Sequence, residues 1–306
     1  MILSGAYALH CAAYRQNIAQ FTSAVDENMY IVGFDAKTTM WNPITCLPEQ
    51  TLMDARRLMM KYNISRVIIA KRGKPLGIVT EKDIARSLYQ KVPSRRLDEI
   101  RLDEVMSRHL VRVEPNEDLK ICAKIMLQKG VSSMIVTENN DALKGIFTKT
   151  DLVSAYVEYF ALTHKVKEFM ISNVITIKLD EPVHSALLLM SQNNISRVIV
   201  TDRPGHPVGI ITGRDLLTIG AYLAYEGQKT KKNYLPFIPS GIKAFTVASD
   251  IMKEKLITTT PDSDLADAAY VMLRNRISGL PVVNPKGILT GIITKTDVVR
   301  ALASHA

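Results

Sequence analysis

One pattern occurs four times along the 306 residues, and self-similarity of this kind constrains a fold more tightly than any local motif. Each copy reads as a Thr-containing apolar strand, an amphipathic helix ending near a Met, an Ile-Ser-type strand, and then Gly-apolar-apolar-Thr-x-x-Asp. In the first copy Ile44-Thr45 leads to a helix over Leu52–Met59, then Asn63-Ile64-Ser65-Arg66-Val67, then Gly77-Ile78-Val79-Thr80 and Asp83. The second has Leu119–Met126, Val131-Ser132-Ser133, and Gly145-Ile146-Phe147-Thr148 with Asp151. The third has Val183–Met190, Ile195-Ser196-Arg197-Val198, and Gly209-Ile210-Ile211-Thr212 with Asp215. The fourth has Leu265–Met272, Ile277-Ser278-Gly279-Leu280-Pro281, and Gly291-Ile292-Ile293-Thr294 with Asp297. From the helix Met to the final Asp the separations are 24, 25, 25 and 25 residues, a spacing chance does not hold four times.

Within each unit the first helix carries apolar residues at i, i+3 and i+7, as in Leu52, Ala55 and Met59, which makes one buried face. The middle position is small in every unit (Ala55, Cys122, Ala186, Ala268), which lets the helix approach a neighbour closely. Val67-Ile68-Ile69 and Ile78-Val79 are short, β-branched and separated by Gly/Pro turns, so they predict neighbouring buried strands. A second helix begins at Thr-x-x-Asp. Units of this size are weakly stable alone, so they are expected to pair and bury sheets or helices against one another.

The order strand-helix-strand-strand-helix and the closing Gly-apolar-apolar-Thr-x-x-Asp resemble the cystathionine-beta-synthase (CBS) domain, a sensor of adenosine-containing ligands. The resemblance covers about residues 37–306 and implies an α+β fold of four tandem β-α-β-β-α repeats at 37–95, 100–160, 163–223 and 245–306. It further implies that repeats pair into two modules, which can form a disc as in the gamma subunit of AMP-activated kinase. Units one and three share Asn-Ile-Ser-Arg-Val and Gly-x-Pro-x-Gly (Gly73 to Gly77, Gly205 to Gly209), while units two and four share Thr-Lys-Thr-Asp. This A-B-A-B pattern indicates duplication of a two-unit module, with landmark Asp separations of 68, 64 and 82. The long interval holds an insertion at 224–244, with Lys229, Lys231, Lys232, Pro236 and Pro239. Residues 1–36 are an extension outside the repeats. Met29 is an alternative start, and the segment could equally dock as a helix; Met40 and Trp41 are assigned to core.

Thr-x-x-Asp at a strand-to-helix corner has two readings. It is a capping box, the Thr as N-cap and the carboxylate satisfying orphan amides. The same geometry suits a nucleotide: a helix N-terminus draws phosphate, the hydroxyl donates to a phosphate oxygen and the carboxylate accepts from both ribose hydroxyls. The resemblance implies this second assignment at Thr80/Asp83, Thr148/Asp151, Thr212/Asp215 and Thr294/Asp297. It also implies an adenine slot formed by the first strand (Ile44, Val111, Ile175, Ile257) and the start of the second (Ser65, Ser132, Ser196, Ser278), often donated by the partner repeat. Arg66 and Arg197 could reach a phosphate as bidentate donors or line a solvated edge. Lys149, Arg214 and Lys295 oppose the helix dipole where they stand; they are ordinary solvated first-turn residues or neighbours of an anion.

Charge and composition narrow the function classes. The balance is 39 basic against 30 acidic residues, net +9, which favours anionic partners without choosing among nucleotides, nucleic acid and membrane. At 47% apolar and 23% charged the chain is globular, and its length allows about two domains. Cys11, Cys46 and Cys122 show no C-x-x-C spacing, so neither a disulfide framework nor a structural zinc is expected, and a cytoplasmic location is. No apolar run reaches membrane-spanning length, and Met1–Tyr14 lacks the basic region of a signal peptide. The dispersed histidines, His109 and His184 among them, make no metal spacing, and no phosphate loop or nucleophile elbow occurs. The expectation is a non-catalytic, energy-sensing regulator without metal or cofactor. It binds AMP, ADP or ATP between paired repeats and signals to an effector protein; an S-adenosyl compound or NAD is an alternative ligand, and a homodimer through the modules an alternative assembly. The rivals are a nucleic-acid binder, disfavoured by 6% aromatics, a scaffold with empty clefts, and an enzyme.

Overall fold

The computed structural model describes residues 43–89, 95–138, 142–202, 205–215 and 247–304. The expectations for the extension, Cys11, Met40, Trp41 and the 224–244 insertion lie outside these residues. Repeat one runs β1 (Thr45–Cys46), α1 (Leu52–Tyr62), β2 (Arg66–Lys71), β3 (Lys74–Thr80) and α2 (Glu81–Tyr89). A short helix α3 (Leu102–Val105) leads to repeat two: β4 (Arg112–Val113), α4 (Leu119–Gln128), β5 (Ser133–Glu138), β6 (Ala142–Thr148) and α5 (Lys149–Tyr159). After α6 (Val166–Phe169), repeat three has β7 (Thr176–Lys178), α7 (Val183–Gln192), β8 (Arg197–Thr201) and β9 (Pro207–Thr212). Repeat four follows α8 (Ala248–Ile251), with α9 (Leu265–Arg274), β10 (Gly279–Val283), β11 (Leu289–Thr294) and α10 (Lys295–Ser304).

The α+β order read from the sequence is the observed one. In repeats one to three the first strand pairs parallel with the second, and the second antiparallel with the third. Repeat four departs: the strand expected at Ile257 is reduced to one parallel bridge, Thr259 to Val282. The cause is a proline. Ile68, Ile135 and Ile199 each donate their N–H to the carbonyl of Ile44, Val111 or Ile175, and the residue at that place in repeat four is Pro281, which has no N–H to give. The helical triplets behave as their spacing predicts. Leu52/Ala55/Met59, Leu119/Cys122/Met126, Val183/Ala186/Met190 and Leu265/Ala268/Met272 are all buried, each large side chain contributing about 1.5–3 kcal/mol.

Pairing uses two different surfaces. Within a module the sheets face each other, with Ile68 and Ala70 of repeat one against Ile135 of repeat two. Across modules the helices meet. α5 packs on α9, and α10 on both α4 and α5, so repeats two and four share one hydrophobic core that includes Leu152, Tyr156, Met272 and Leu302.

The Gly-x-Pro-x-Gly motif of the odd repeats is a pairing device. Gly73 and Gly205 turn at φ +75° and +82°, and their carbonyls accept N–H groups from Leu143 and Leu289 of the even repeats. The second glycine makes room for a methionine. A Cβ on Gly77 would lie 2.5 Å from Met106 Sδ, and one on Gly291 2.9 Å from Met170 Sδ; Met252 crowds Gly209 in the same way. These methionines end α3, α6 and α8. Bridges Ile78–Ser107, Ile210–Lys253 and Ile171–Ile292 fix the leader of repeat two on repeat one, that of repeat four on repeat three, and that of repeat three on repeat four.

Candidate functional site

The four Thr-x-x-Asp corners have nearly one geometry. Each Thr N–H and each Thr hydroxyl donates to Oδ2 of its own Asp, at 2.8 and 2.7 Å for Thr80/Asp83, 2.7 and 2.7 Å for Thr148/Asp151, 2.8 and 2.5 Å for Thr212/Asp215, and 2.7 and 2.7 Å for Thr294/Asp297. At every corner the Asp thus caps the Thr N–H and hydroxyl through one carboxylate oxygen, and at Thr148/Asp151 the full reciprocal capping box is formed. The first helical N–H of each corner, on Glu81, Lys149, Gly213 and Lys295, donates to the carbonyl of Ser65, Ser132, Ser196 or Ser278. The serines expected beside the adenine thus lie next to their own repeat's Thr and Asp. In repeat two the next N–H, on Thr150, donates to the Thr148 hydroxyl. With these amides occupied, attraction for an anion has to come mainly from side chains.

The side chains divide the corners into two kinds. Asp151 and Asp297, in the even repeats, are buried at 6% and 1% exposure, while Asp83 and Asp215 are half-buried. Burial pushes the Asp297 carboxyl above the usual range, against the opposing pull of its Thr294 bonds, Arg300 and Arg197. Arg300 holds Oδ1 of Asp297 at 2.6 Å; at the matching place in repeat two stands Ser154. Oδ1 of Asp215 is held by Lys253 at 2.9 Å.

Arg197 of repeat three reaches the corner of repeat four. Arg197 donates through Nη2 to the Ser278 hydroxyl at 2.7 Å and to Ser196 Oγ at 3.3 Å. A Cβ at position 279 would collide with its guanidinium, which explains why repeat four has Gly279 where repeat three has arginine. Burial pushes the Arg197 guanidinium down to about 10, and Asp297 pulls the other way. Arg66 bonds Ser65 Oγ at 3.0 and 3.3 Å; burial lowers it too, opposed by Glu81 and Asp151. Lys149 and Lys295 complete the group, both displaced downward by burial, Lys295 to about 8.

Of the residues proposed for the adenine, Ile44, Val111 and Ile175 immediately precede β1, β4 and β7, half-buried against the cores of their repeats. Ile257 lies outside any strand. A shallow cavity of about 230 Å³ opens beside α9, between Thr258, Asp264, Asp267 and Leu280. None of the residues expected to bind nucleotide lines it, although Thr258 follows Ile257 and Leu280 pairs with Ile293, next to Thr294. The methionine leaders were missed by the sequence reading, although Glu-Val-Met, Glu-Phe-Met and Asp-Ile-Met, each five residues before Val111, Ile175 or Ile257, are a recurring signal. Among the described residues no cluster of His, Cys, Asp and Glu could hold a metal, and no helix is long and apolar enough to cross a membrane.

The sequence pattern defining the CBS domain matches residues 36–90, 102–158, 166–221 and 248–304. Protein MJ1404 of Methanocaldococcus jannaschii, an uncharacterized protein, is 34% identical over 182 residues, 58% of this chain and 41% of its own length. Protein MJ1225 of the same organism is 25% identical over 277 residues, 85% of this chain and 95% of that protein. Its crystal structure, described as that of a candidate archaeal homologue of g-AMPK, superposes with a TM-score of 0.77 at 22% identity, covering 88% of this chain and 100% of that one. An uncharacterized conserved protein from Pyrococcus horikoshii gives a TM-score of 0.62 at 22% identity over the same shares. At these identities the two structures bear on the fold alone, and the chain spans less than half the length of MJ1404.

Proposed function

The chain belongs to the CBS domain family, and from that premise we propose that it is a regulator that binds adenosine nucleotides (AMP, ADP or ATP) where its repeats pair, chiefly at the Asp151 and Asp297 corners. One observation carries the reading: Arg197 of repeat three donates to Ser278 at the buried carboxylate corner of its paired repeat four, at 2.7 Å. In this arrangement the Asp151 carboxylate accepts from a ribose hydroxyl, Arg66 takes the phosphate as a charge-assisted donor, and Val111 and Ser132 border the base. Asp297, Arg197, Ser278 and Ile257 act likewise in the second module. There Arg300 already holds Oδ1 and has to share it. Asp83 and Asp215 are the weaker corners, Asp215 because Lys253 already compensates it.

Occupancy acts on an effector protein by favouring one arrangement of the modules, since a ligand shifts an equilibrium only through differential affinity for its two states. No bond of the nucleotide is made or cleaved. Titration calorimetry and thermal melting of the full chain test the proposal. AMP, ADP or ATP at about 100 times its Kd should add roughly 2.7 kcal/mol of stability per site. No heat and an unchanged Tm for all three would overturn it, as would multiple turnovers of the added nucleotide abolished by one substitution. Tighter binding of an oligonucleotide, steeply weakened by salt, would favour the nucleic-acid reading instead.

A further inference from the structure

The lysine that follows each even-repeat threonine does not turn back to its own corner. Lys149, in repeat two, donates from Nζ to the hydroxyl of Thr296 in repeat four at 3.0 Å. Lys295, in repeat four, donates to the hydroxyl of Thr150 in repeat two, also at 3.0 Å. Thr296 immediately precedes Asp297, and Thr150 immediately precedes Asp151. The two bonds are reciprocal and cross the boundary between modules. Given the nucleotide reading above, on which this rests, we propose that the phosphate at each even corner is held in trans: Lys295 serves the Asp151 site and Lys149 the Asp297 site.

Three features support this exchange. A cation at the first helical position opposes its own helix dipole, so neither lysine is explained as a favourable first-turn residue. The carboxylates acting on the two amines are crossed in the same sense, although the arginine acting foremost on each belongs to its own module. The carboxylate that favours the charged form of Lys295 is Asp151, and that acting on Lys149 is Asp297. Finally, the hydroxyl each lysine bonds is a neutral acceptor, and Arg66 repels both amines. A phosphate would relieve that repulsion, while Thr150 and Thr296 do not.

Each even site is then built by three repeats. An arginine comes from the paired odd repeat, the carboxylate from the even repeat, and a lysine from the opposite module. A bound nucleotide consequently ties the modules together, and the two even sites are linked because each supplies the other's lysine.

Calorimetric titration with ATP separates this from the cis alternative. In a D297A background, which leaves Asp151 as the intact even corner, K295M should weaken ATP binding at least tenfold and K149M less than threefold. In a D151A background the two lysines should exchange roles. Because Asp→Ala removes a helix cap, the same assignment is also read in the Asp-intact chain by double-mutant cycles. K295M should couple to R66M and be additive with R197M, and K149M the reverse. Binding that depends on the lysine adjacent in sequence to the intact Asp, or cycles coupled in the cis sense, would overturn the exchange while leaving nucleotide binding in place. Absence of ATP binding by the wild type, in contrast, would remove the nucleotide reading itself.

Discussion

Two junctions cross between the modules, and they manage charge in opposite ways. Where repeat two meets repeat four, Lys149 and Lys295 approach each other's helix starts and bond threonine hydroxyls there. Where repeat one meets repeat three, Arg214 pairs with Glu81, its Nη2 2.7 Å and its Nε 2.8 Å from the same carboxylate oxygen, and Lys82 bonds Asn194 Oδ1 at 3.3 Å. The backbone corner is the same in both cases, down to the Thr-Asp bonds. What differs is how directly the cations are paired. At the odd junction Glu81 forms an ion pair with Arg214, whereas at the even junction Lys149 and Lys295 bond hydroxyls and the carboxylates acting on them, Asp151 and Asp297, are deeply buried. An anionic ligand therefore has more to gain at the even side.

The largest expected effect concerns stability at the even junction. Leu302 is fully buried in the core shared by repeats two and four. Leu302→Ala should cost about 2–5 kcal/mol in urea denaturation, whereas Glu81→Gln, which removes a partly exposed ion pair at the odd junction, should cost about 0–1 kcal/mol. Equal losses would mean that the two junctions carry the same load.

Next in size is affinity. Arg66→Met and Arg197→Met should each remove a charge-assisted contact of about 1.5–3 kcal/mol, more than tenfold in Kd for ATP at one even site. Asp151→Ala and Asp297→Ala should likewise exceed Asp83→Ala and Asp215→Ala when titrated with AMP and ATP. Equal losses at all four aspartates would sever the link between charge pattern and binding.

Much of this architecture was legible because it rests on local chemistry repeated in register. The triplets Leu52/Ala55/Met59 and their counterparts mark buried helix faces, and Thr-x-x-Asp marks a capped helix start whatever else it does. The difference between repeats was also legible, in Ser-Arg of the odd ones against Ser-Ser and Ser-Gly of the even ones. Three things were not. Pro281 looked like an ordinary strand residue, since the bond it cannot make would run to the carbonyl of Ile257, 24 residues upstream. The Met106–Gly77 contact joins the leader of one repeat to the body of another, and periodicity says nothing about such exchanges. Lys149 and Lys295 were legible as oddly placed cations, but their acceptors belong to the other module, a relation that only the packing of α5 and α10 creates.

Exchanging the charge rule between junctions gives a smaller effect. Glu81→Lys replaces the counter-charge of Arg214 with a cation, copying the Lys149/Lys295 arrangement at the odd side. ATP affinity at the Asp83 and Asp215 corners should then rise by roughly two- to tenfold, on the order of 1 kcal/mol. The gain should fade with added salt, because the new site lies nearer solvent. A fall in affinity there would show that the odd corners are limited by shape rather than by charge.

The smallest effect is with pH, and it has two signs. Burial, foremost, with repulsion from Arg197 and Arg66 behind it, pushes Lys295 down to about 8 from its ordinary 10.5. In the unliganded protein the charged lysine is disfavoured by folding, and below pH 8 that penalty is fully present. Between about pH 8 and 10.5 the folded chain releases a proton that the unfolded chain retains, so stability should rise with pH across this window. Nucleotide binding should move the other way, because a phosphate favours the protonated amine. ATP affinity at the Asp151 corner should fall several-fold from pH 7 to pH 9, with proton uptake on binding that grows towards pH 8–9 in calorimetry run in buffers of different ionisation enthalpy. K295M should abolish both trends. If the K295M chain keeps the same pH profile of Tm and of ATP affinity as the wild type, the titrating group lies elsewhere and the even junction is not the protonated anion seat described above.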